Sequence, residues 1–294
     1  MSLILAVSPH LDDAALSASG QLRGFVSRGD TVEVVTLFAG VPQPPYSAPA
    51  VFMHELWGLT EDPVERRRAE DRCAHRQLGT RVEHADFLDE LYRRAPDGDW
   101  LVRDDWKRAE DTGGDEQELR AALTAHVYGL LTSRRPDLVV TCAAVGRHVD
   151  HRRTRDAVLA AAPVAGVPVR FWEDLPYAEW TSRFPPLPQW AAVGPSAVEP
   201  VDDQAWEIKL SAVQCYASQH RMLWPEDGQD WRAVMDAHAK SVGREYGDGR
   251  HDRRGERFWD VLVDPSRLAA NAAPPHGFEA DLYDPILRPS LRRS

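Results

Sequence analysis

The 294-residue sequence predicts an α/β fold: a Rossmann-like, mostly parallel sheet with helices on both faces and long active-site loops. Three observations carry that reading. Short apolar runs of strand length recur, and a continuous rather than alternating run marks a strand covered on both faces. These runs alternate with helix-length amphipathic stretches in the order βαβαβαβαβ, the pattern of a doubly wound sheet. Two clusters of histidine and acid, at 9–13 and 148–151, each fall between a strand end and a helix start, where such a sheet presents side chains to a ligand.

Residues 3–8 are the first strand, and a helix follows over 13–28, closing near Gly29. Residues 31–38, rich in Val and Thr, are the second strand. A helix over 63–78 stops at Gly79, as a left-handed C-terminal glycine requires. A weaker strand over 82–88 and an amphipathic helix over 115–134 come next. The strand at 137–142 delivers the second cluster, a helix covers 150–162, and 167–173 is the fifth strand. Four stretches, 40–62, 92–114, 176–203 and 224–257, are rich in Pro, Gly and Trp and read as long irregular loops. The length suits one domain over 1–294, with a core at about 1–175 and a C-terminal part, 176–294, that completes the substrate pocket. Beyond Pro274 the chain reads as an extended, surface-held end.

Composition narrows the partners. With 46 acidic against 35 basic residues the formal charge is -11, which repels phosphate backbones and argues against a nucleic-acid partner. A neutral or cationic small molecule suits that field, and a homo-oligomer is compatible with it. No apolar run is long enough to span a bilayer, and no basic and apolar leader precedes the first strand, so no membrane partner is expected. Cys73, Cys142 and Cys215 lack Cys-x-x-Cys spacing; reduced thiols in a cytoplasmic protein are expected, with Cys142 a small core residue. No Gly-x-Gly-x-x-Gly turn follows the first strand, so a nicotinamide cofactor is not expected.

The two clusters, Pro9-His10-Leu11-Asp12-Asp13 and His148-Val149-Asp150-His151, carry the chemistry. Taken alone, an Asp pair opening a helix serves as a cap. Two clusters on the same sheet edge, each with histidine and acid, point instead to one catalytic metal. Zinc accepts neutral imidazole and carboxylate and, in catalytic sites, takes three protein ligands; His10, Asp13 and His151 can supply them. Asp12 then stands beside the metal's water as general base, and His148 donates a proton or stabilises oxyanion charge. Asp150 holds a ligating histidine in the right tautomer.

These motifs resemble those of the PIG-L/LmbE-like zinc deacetylases, which remove acetyl groups from N-acetylglucosamine-type sugars. The family's Pro-His-x-Asp-Asp stands here as Pro9 to Asp13, and its His-x-Asp-His as His148 to His151. The resemblance implies zinc on His10, Asp13 and His151, with Asp12 as base and His148 as acid or oxyanion stabiliser. Arg67-Arg68-Ala69-Glu70 is similar to the family's Arg-x-x-Glu helix, which implies that Arg67 contacts the sugar. Residues 209–219, from Lys209 through Tyr216, Ser218 and Gln219, are similar to its C-terminal Lys-Ala-Tyr-Ser-Gln pattern. Many members carry Glu after the Asp pair, where this chain has Ala14.

The expected reaction is metal-assisted hydrolysis of the acetamide of an N-acetylated aminosugar or its conjugate. Zinc is the expected cofactor, with ferrous iron or another divalent metal as alternatives. An amidase of a thiol or sugar conjugate on the same zinc core is the nearest rival, and a non-catalytic sugar-binding protein the next. Asp89, Glu173, Asp174 and Tyr177 follow strand ends on the active edge and are candidates to touch substrate hydroxyls. Trp57, Trp100, Trp106, Trp180, Trp190 and Trp224 lie in or beside the long loops; most are expected to pin them, though an indole face also suits a sugar ring. His54, His75, His84, His126, His220, His238 and His251 are read as structural or surface residues, and Arg152 to Arg155 as a solvated face.

Overall fold

The computed structural model describes residues 1–103, 116–181, 185–224, 230–246 and 252–264. In chain order its elements are β1 (Leu3–Ser8), α1 (Asp13–Ser27), β2 (Thr31–Thr36), α2 (Ala48–Trp57), α3 (Pro63–Leu78), β3 (Arg81–His84), α4 (Gln117–Arg134) and β4 (Leu138–Cys142). Then follow α5 (Val149–Ala165), β5 (Val169–Trp172), β6 (Ala191–Val193), β7 (Ala197–Val201), α6 (Asp203–Gln214), α7 (His220–Leu223), α8 (Trp231–Gly243) and β8 (Arg254–Val263). The sheet runs β3-β2-β1-β4-β5-β8-β6, with β7 also paired to β8. Strands β1 to β5 are parallel, and β8 joins β5 antiparallel.

Alternation along β1 builds two apolar layers. Leu5 and Val7 face one cluster with Leu123 and Val127 of α4 and Val158 of α5. Ile4 and Ala6 face the other, with Ala14, Ala18 and Leu22 of α1. Burial of such a side chain contributes about 1.5–3 kcal/mol, so neither face of β1 admits a polar residue cheaply. Ala14 lies inside the second layer at 1% exposure, a position that would leave a longer acidic side chain without water. From β1 the chain winds to β2 and β3 on one side and reaches β4 and β5 on the other. That reversal opens a crevice at the carboxyl ends of β1 and β4.

The mostly parallel α/β sheet agrees with the fold class read from sequence. Three of the stretches expected to be irregular nevertheless contain elements. Within 40–62, α2 is capped by Ser47, carries Pro49 in its first turn and ends at left-handed Gly58. Its buried Ala50, Met53 and Trp57 follow helical spacing, a signal masked by the prolines around it. In 176–203 lie β6 and β7, and 224–257 holds α8 and the start of β8. Trp231, Met235, Ala239 and Val242 form the buried stripe of α8. The antiparallel strand β8 was missed because exposed and half-buried residues break up its apolar run. Residue 115, Trp106, His251 and the tail beyond Pro274 fall outside the described residues.

Two further expectations are corrected. Cys73 of α3 and Cys215, just after α6, form a disulfide with their Cα atoms 5.9 Å apart, because the two helices pack side by side. The thiol argument for a cytoplasmic setting therefore falls away, while Cys142 is the buried free cysteine. Arg153 and Arg155 are buried rather than solvated: Arg153 Nε bonds Glu116 at 3.2 Å, and Arg155 Nη1 bonds the Pro185 carbonyl at 3.1 Å. Among the described residues no helix is long and apolar enough to cross a membrane.

Candidate active site

The parallel pairing of β1 with β4, Val7 opposite Thr141, brings the two motif loops side by side. After β1 the chain turns tightly: Ser8 Oγ donates to the His10 carbonyl at 3.0 Å and accepts from the Ala14 N–H at 3.2 Å. After β4 the loop passes through left-handed Ala144, Gly146 and Arg147 before His148 opens α5. A Cβ on Gly146 would sit 2.5 Å from the Tyr177 ring, so glycine is required both by backbone angle and by space.

His10, Asp13 and His151 converge. Asp13 Oδ2 lies 3.2 Å from His10 Nδ1 and 3.2 Å from His151 Nε2. The far nitrogen of each imidazole is engaged by a second carboxylate: His10 Nε2 meets Asp150 Oδ2 at 3.2 Å, and His151 Nδ1 meets Asp174 Oδ1 at 2.7 Å. With each far nitrogen engaged, the near nitrogen of each imidazole faces Asp13 Oδ2. His151 Nε2 is buried and, apart from its approach to Asp13, has no hydrogen-bond partner among the described residues. Two imidazole nitrogens facing one carboxylate are satisfied only by a proton or a cation between them, so these residues fit a divalent metal. The surrounding field has the same sign. Burial opposes charging the imidazoles, yet Asp13 and Asp174 raise His151 to about 10, and Asp13, Asp150 and Glu90 hold His10 well above its ordinary value. Burial likewise disfavours ionising Asp13, but His151 and His10 hold its carboxyl well below the usual range.

His148 also places a ring nitrogen within 4.8 Å of those of His10 and His151. Its own nitrogens are occupied: Nδ1 accepts from the Asp150 N–H at 3.2 Å as the cap of α5, and Nε2 meets Glu90 Oε1 at 3.0 Å. That leaves His148 a proton on Nε2 rather than a lone pair for a metal. Asp12, by contrast, makes no side-chain cap bond to α1. It is buried, with Oδ2 3.5 Å from Arg67 Nη2, and burial pushes its carboxyl up to about 7 against the pull of that guanidinium. Arg67 lies over the Trp57 ring at 4.7 Å. Asp89 Oδ2 is 3.8 Å from His10 Nε2, and its Oδ1 accepts from the Leu91 N–H.

The remaining sequence-predicted residues divide. Tyr177 stays at the site, its ring 5.3 Å from that of His151. Asp174 does not face a substrate: it is fully buried, with one oxygen on His151 and the other accepting from the Val145 N–H at 3.0 Å. Glu173 points the other way, as neighbours on an extended segment do, and pairs with Arg257 and with His238 Nε2 at 3.4 Å. Glu90 and Arg93 were missed. Arg93 Nη2 bonds Asp150 Oδ1 at 2.6 Å, and Glu90 anchors His148. The only sequence signal for either was its position just after Asp89.

The motif resembling a C-terminal pattern is structural. Lys209 Nζ pairs with Glu256 at 2.7 Å, and Ser218 Oγ donates to Glu70 at 2.6 Å. Tyr216 Oη donates to Asp71 at 2.6 Å, and Asp71 also meets His84 at 2.8 Å and His75 at 3.4 Å. This buried knot fixes α3, and with it Arg67, beneath the site. Burial opposes ionisation of Asp71, but His75, His84 and Tyr216 hold its carboxyl well below the ordinary range.

A family model described as PIG-L: GlcNAc-PI de-N-acetylase matches residues 5–162. The structure of the zinc-inhibited form of teicoplanin deacetylase Orf2 is similar at a TM-score of 0.81 and 39% identity, over 89% of this chain and 98% of that one. The A40926 pseudoaglycone deacetylase Dbv21 is similar at a TM-score of 0.75 and 37% identity, over 89% of this chain and 97% of that one. A 2′-N-acetylparomamine deacetylase of Niallia circulans is 29% identical over 196 residues, which is 60% of this chain and 68% of the relative. With its two motif loops joined at one sheet edge and more than half its length matched, the chain belongs to the PIG-L family of de-N-acetylases.

Proposed function

We propose that this protein is a metal-dependent N-deacetylase that removes the acetyl group from an N-acetylated aminosugar carried on a larger conjugate. The observation that carries the reading is the convergence of His10 Nδ1 and His151 Nε2 on Asp13 Oδ2, with Asp12 next in the chain. Imidazole with carboxylate suits zinc, held by His10, Asp13 and His151. A divalent cation there supplies Lewis-acid chemistry: it polarises an amide carbonyl and makes water more acidic.

The chain's own residues do the rest. Asp12 takes the proton of the attacking water, and Arg67 holds its carboxylate in place. As the carbon–nitrogen bond breaks, Asp12 returns that proton to the leaving amine, while His148 keeps its Nε2 proton, shared with Glu90, as the hydrogen-bond donor beside the developing oxyanion. Acetate and a free amine are the products. We read Arg67 and Asp89 as the residues that meet sugar hydroxyls, as the family resemblance implies for Arg67. Asp150 and Asp174 hold the two ligand imidazoles.

A conjugate is favoured over a free sugar because solved structures similar over 97–98% of their own length are named as deacetylases of teicoplanin and of the A40926 pseudoaglycone. We read residues through 264 as one domain, since α6 packs on α1 and α3 and β8 pairs with β5. The test is an assay of acetate and free amine over N-acetylated aminosugars, their glycosides and thiol-conjugate amides, with zinc, ferrous or cobalt-loaded protein. Acetate with an equal amount of amine from an aminosugar glycoside is the expected result. Hydrolysis of the thiol-conjugate amides alone would replace this reading with that of an amidase.

A further inference from the structure

We propose that Trp180 is a specificity-determining residue, a platform on which the ring of the substrate adjoining the N-acetylated sugar stacks. The inference rests on the deacetylase reading above and names the part of the substrate that reading leaves open. Among the described tryptophans singled out by sequence, four are committed elsewhere. Trp57 and Trp224 are buried in apolar clusters, Trp190 packs against the main core, and Trp100 is covered by the Arg94 guanidinium at 3.9 Å. Trp180 is different: it is 71% exposed and in ring contact with Tyr177, which itself touches His151.

Its position gives the purpose. The Tyr177 ring stands edge-on to His151 at 5.3 Å and 6.3 Å from His148, and the Trp180 ring stands edge-on to Tyr177 at 6.3 Å. The rings therefore step outward from the metal-binding histidine to solvent along one wall. An acetamide placed at His10, Asp13 and His151 sets its sugar beside Tyr177, and whatever the sugar is attached to must leave the site. Tyr177 and Trp180 are in edge-on contact, so a substrate that passes Tyr177 on its way to solvent meets the indole next. The turn holding Trp180 follows β5 closely, and its root is fixed by the Asp174 bond to His151, so the platform has a set position relative to the cleaved bond. An indole recognises a flat aromatic ring or the apolar face of a second sugar without directional hydrogen bonds. Because the wall is aromatic from Tyr177 to Trp180, the occupant inferred is an aromatic aglycone.

The experiment compares two N-acetylglucosaminides, one with an aromatic aglycone and one with a methyl group, for zinc-loaded wild type, Trp180→Ala and Trp180→Phe. The readout is the ratio of kcat/KM for the aromatic to the methyl substrate. Trp180→Ala is expected to lower that ratio about 10-fold, mostly through KM, and Trp180→Phe to restore most of it. An unchanged ratio in Trp180→Ala overturns the proposal, and so does an equal loss on both substrates. Should wild type release acetate from neither, the deacetylase reading fails before this one is reached, so the two failures are distinguishable.

Discussion

Each ligand histidine has its own carboxylate, and the partners come from different places. Asp150 lies in the second motif beside His151, yet it bonds His10; His151 is served by Asp174, beyond β5. Sequence spacing exposed the first acid and misassigned the second, because an acid after a strand reads equally as a substrate contact and the pairing is set by side-chain direction. Asp174→Asn is expected to weaken metal affinity about 10–100-fold, the usual cost of removing such a support. His151→Ala removes a ligand outright and should bind still more weakly. Competition titration with a chelating dye ranks the two, and wild-type affinity in Asp174→Asn would show that the carboxylate does not tune the site.

At the scale of elements, α3 is the piece whose position the chemistry depends on, since it carries Arg67 to Asp12. Its anchor is Asp71, buried against His75, His84 and Tyr216. A carboxyl depressed by folding stabilises the fold above its unfolded value of about 3.9 and loses that contribution as pH falls toward the lower folded one. Breaking such a buried pair costs about 3–5 kcal/mol, so Asp71→Asn should melt well below wild type at pH 7. The gap in melting temperature should narrow below about pH 4. Equal melting curves at pH 7 would show that α3 is held by apolar packing alone. The helix itself was legible from Pro63 to Gly79, but its polar anchor was not: Asp71, His84 and Tyr216 come from three separate stretches of chain, and no local pattern joins them.

Across the whole molecule, the parallel core was legible because β1, β4 and their neighbours are buried on both faces and so appear as unbroken apolar runs. The antiparallel extension was not, since β8 is half-buried and follows a stretch rich in Gly and charge. The same core ties stability to the metal, because the two motif loops meet only in the folded chain. Zinc at about 1,000 times its dissociation constant should stabilise the fold by about 4 kcal/mol, seen as a rise in melting temperature that EDTA reverses. No shift would mean that the loops do not hold a metal together. The most direct test of the account is Asp12→Asn, assayed in parallel for bound zinc and for acetate release. One equivalent of zinc with turnover reduced about 100- to 10,000-fold is the predicted result. Full activity, or a protein that no longer binds zinc, would contradict the role of Asp12 as the base beside the metal.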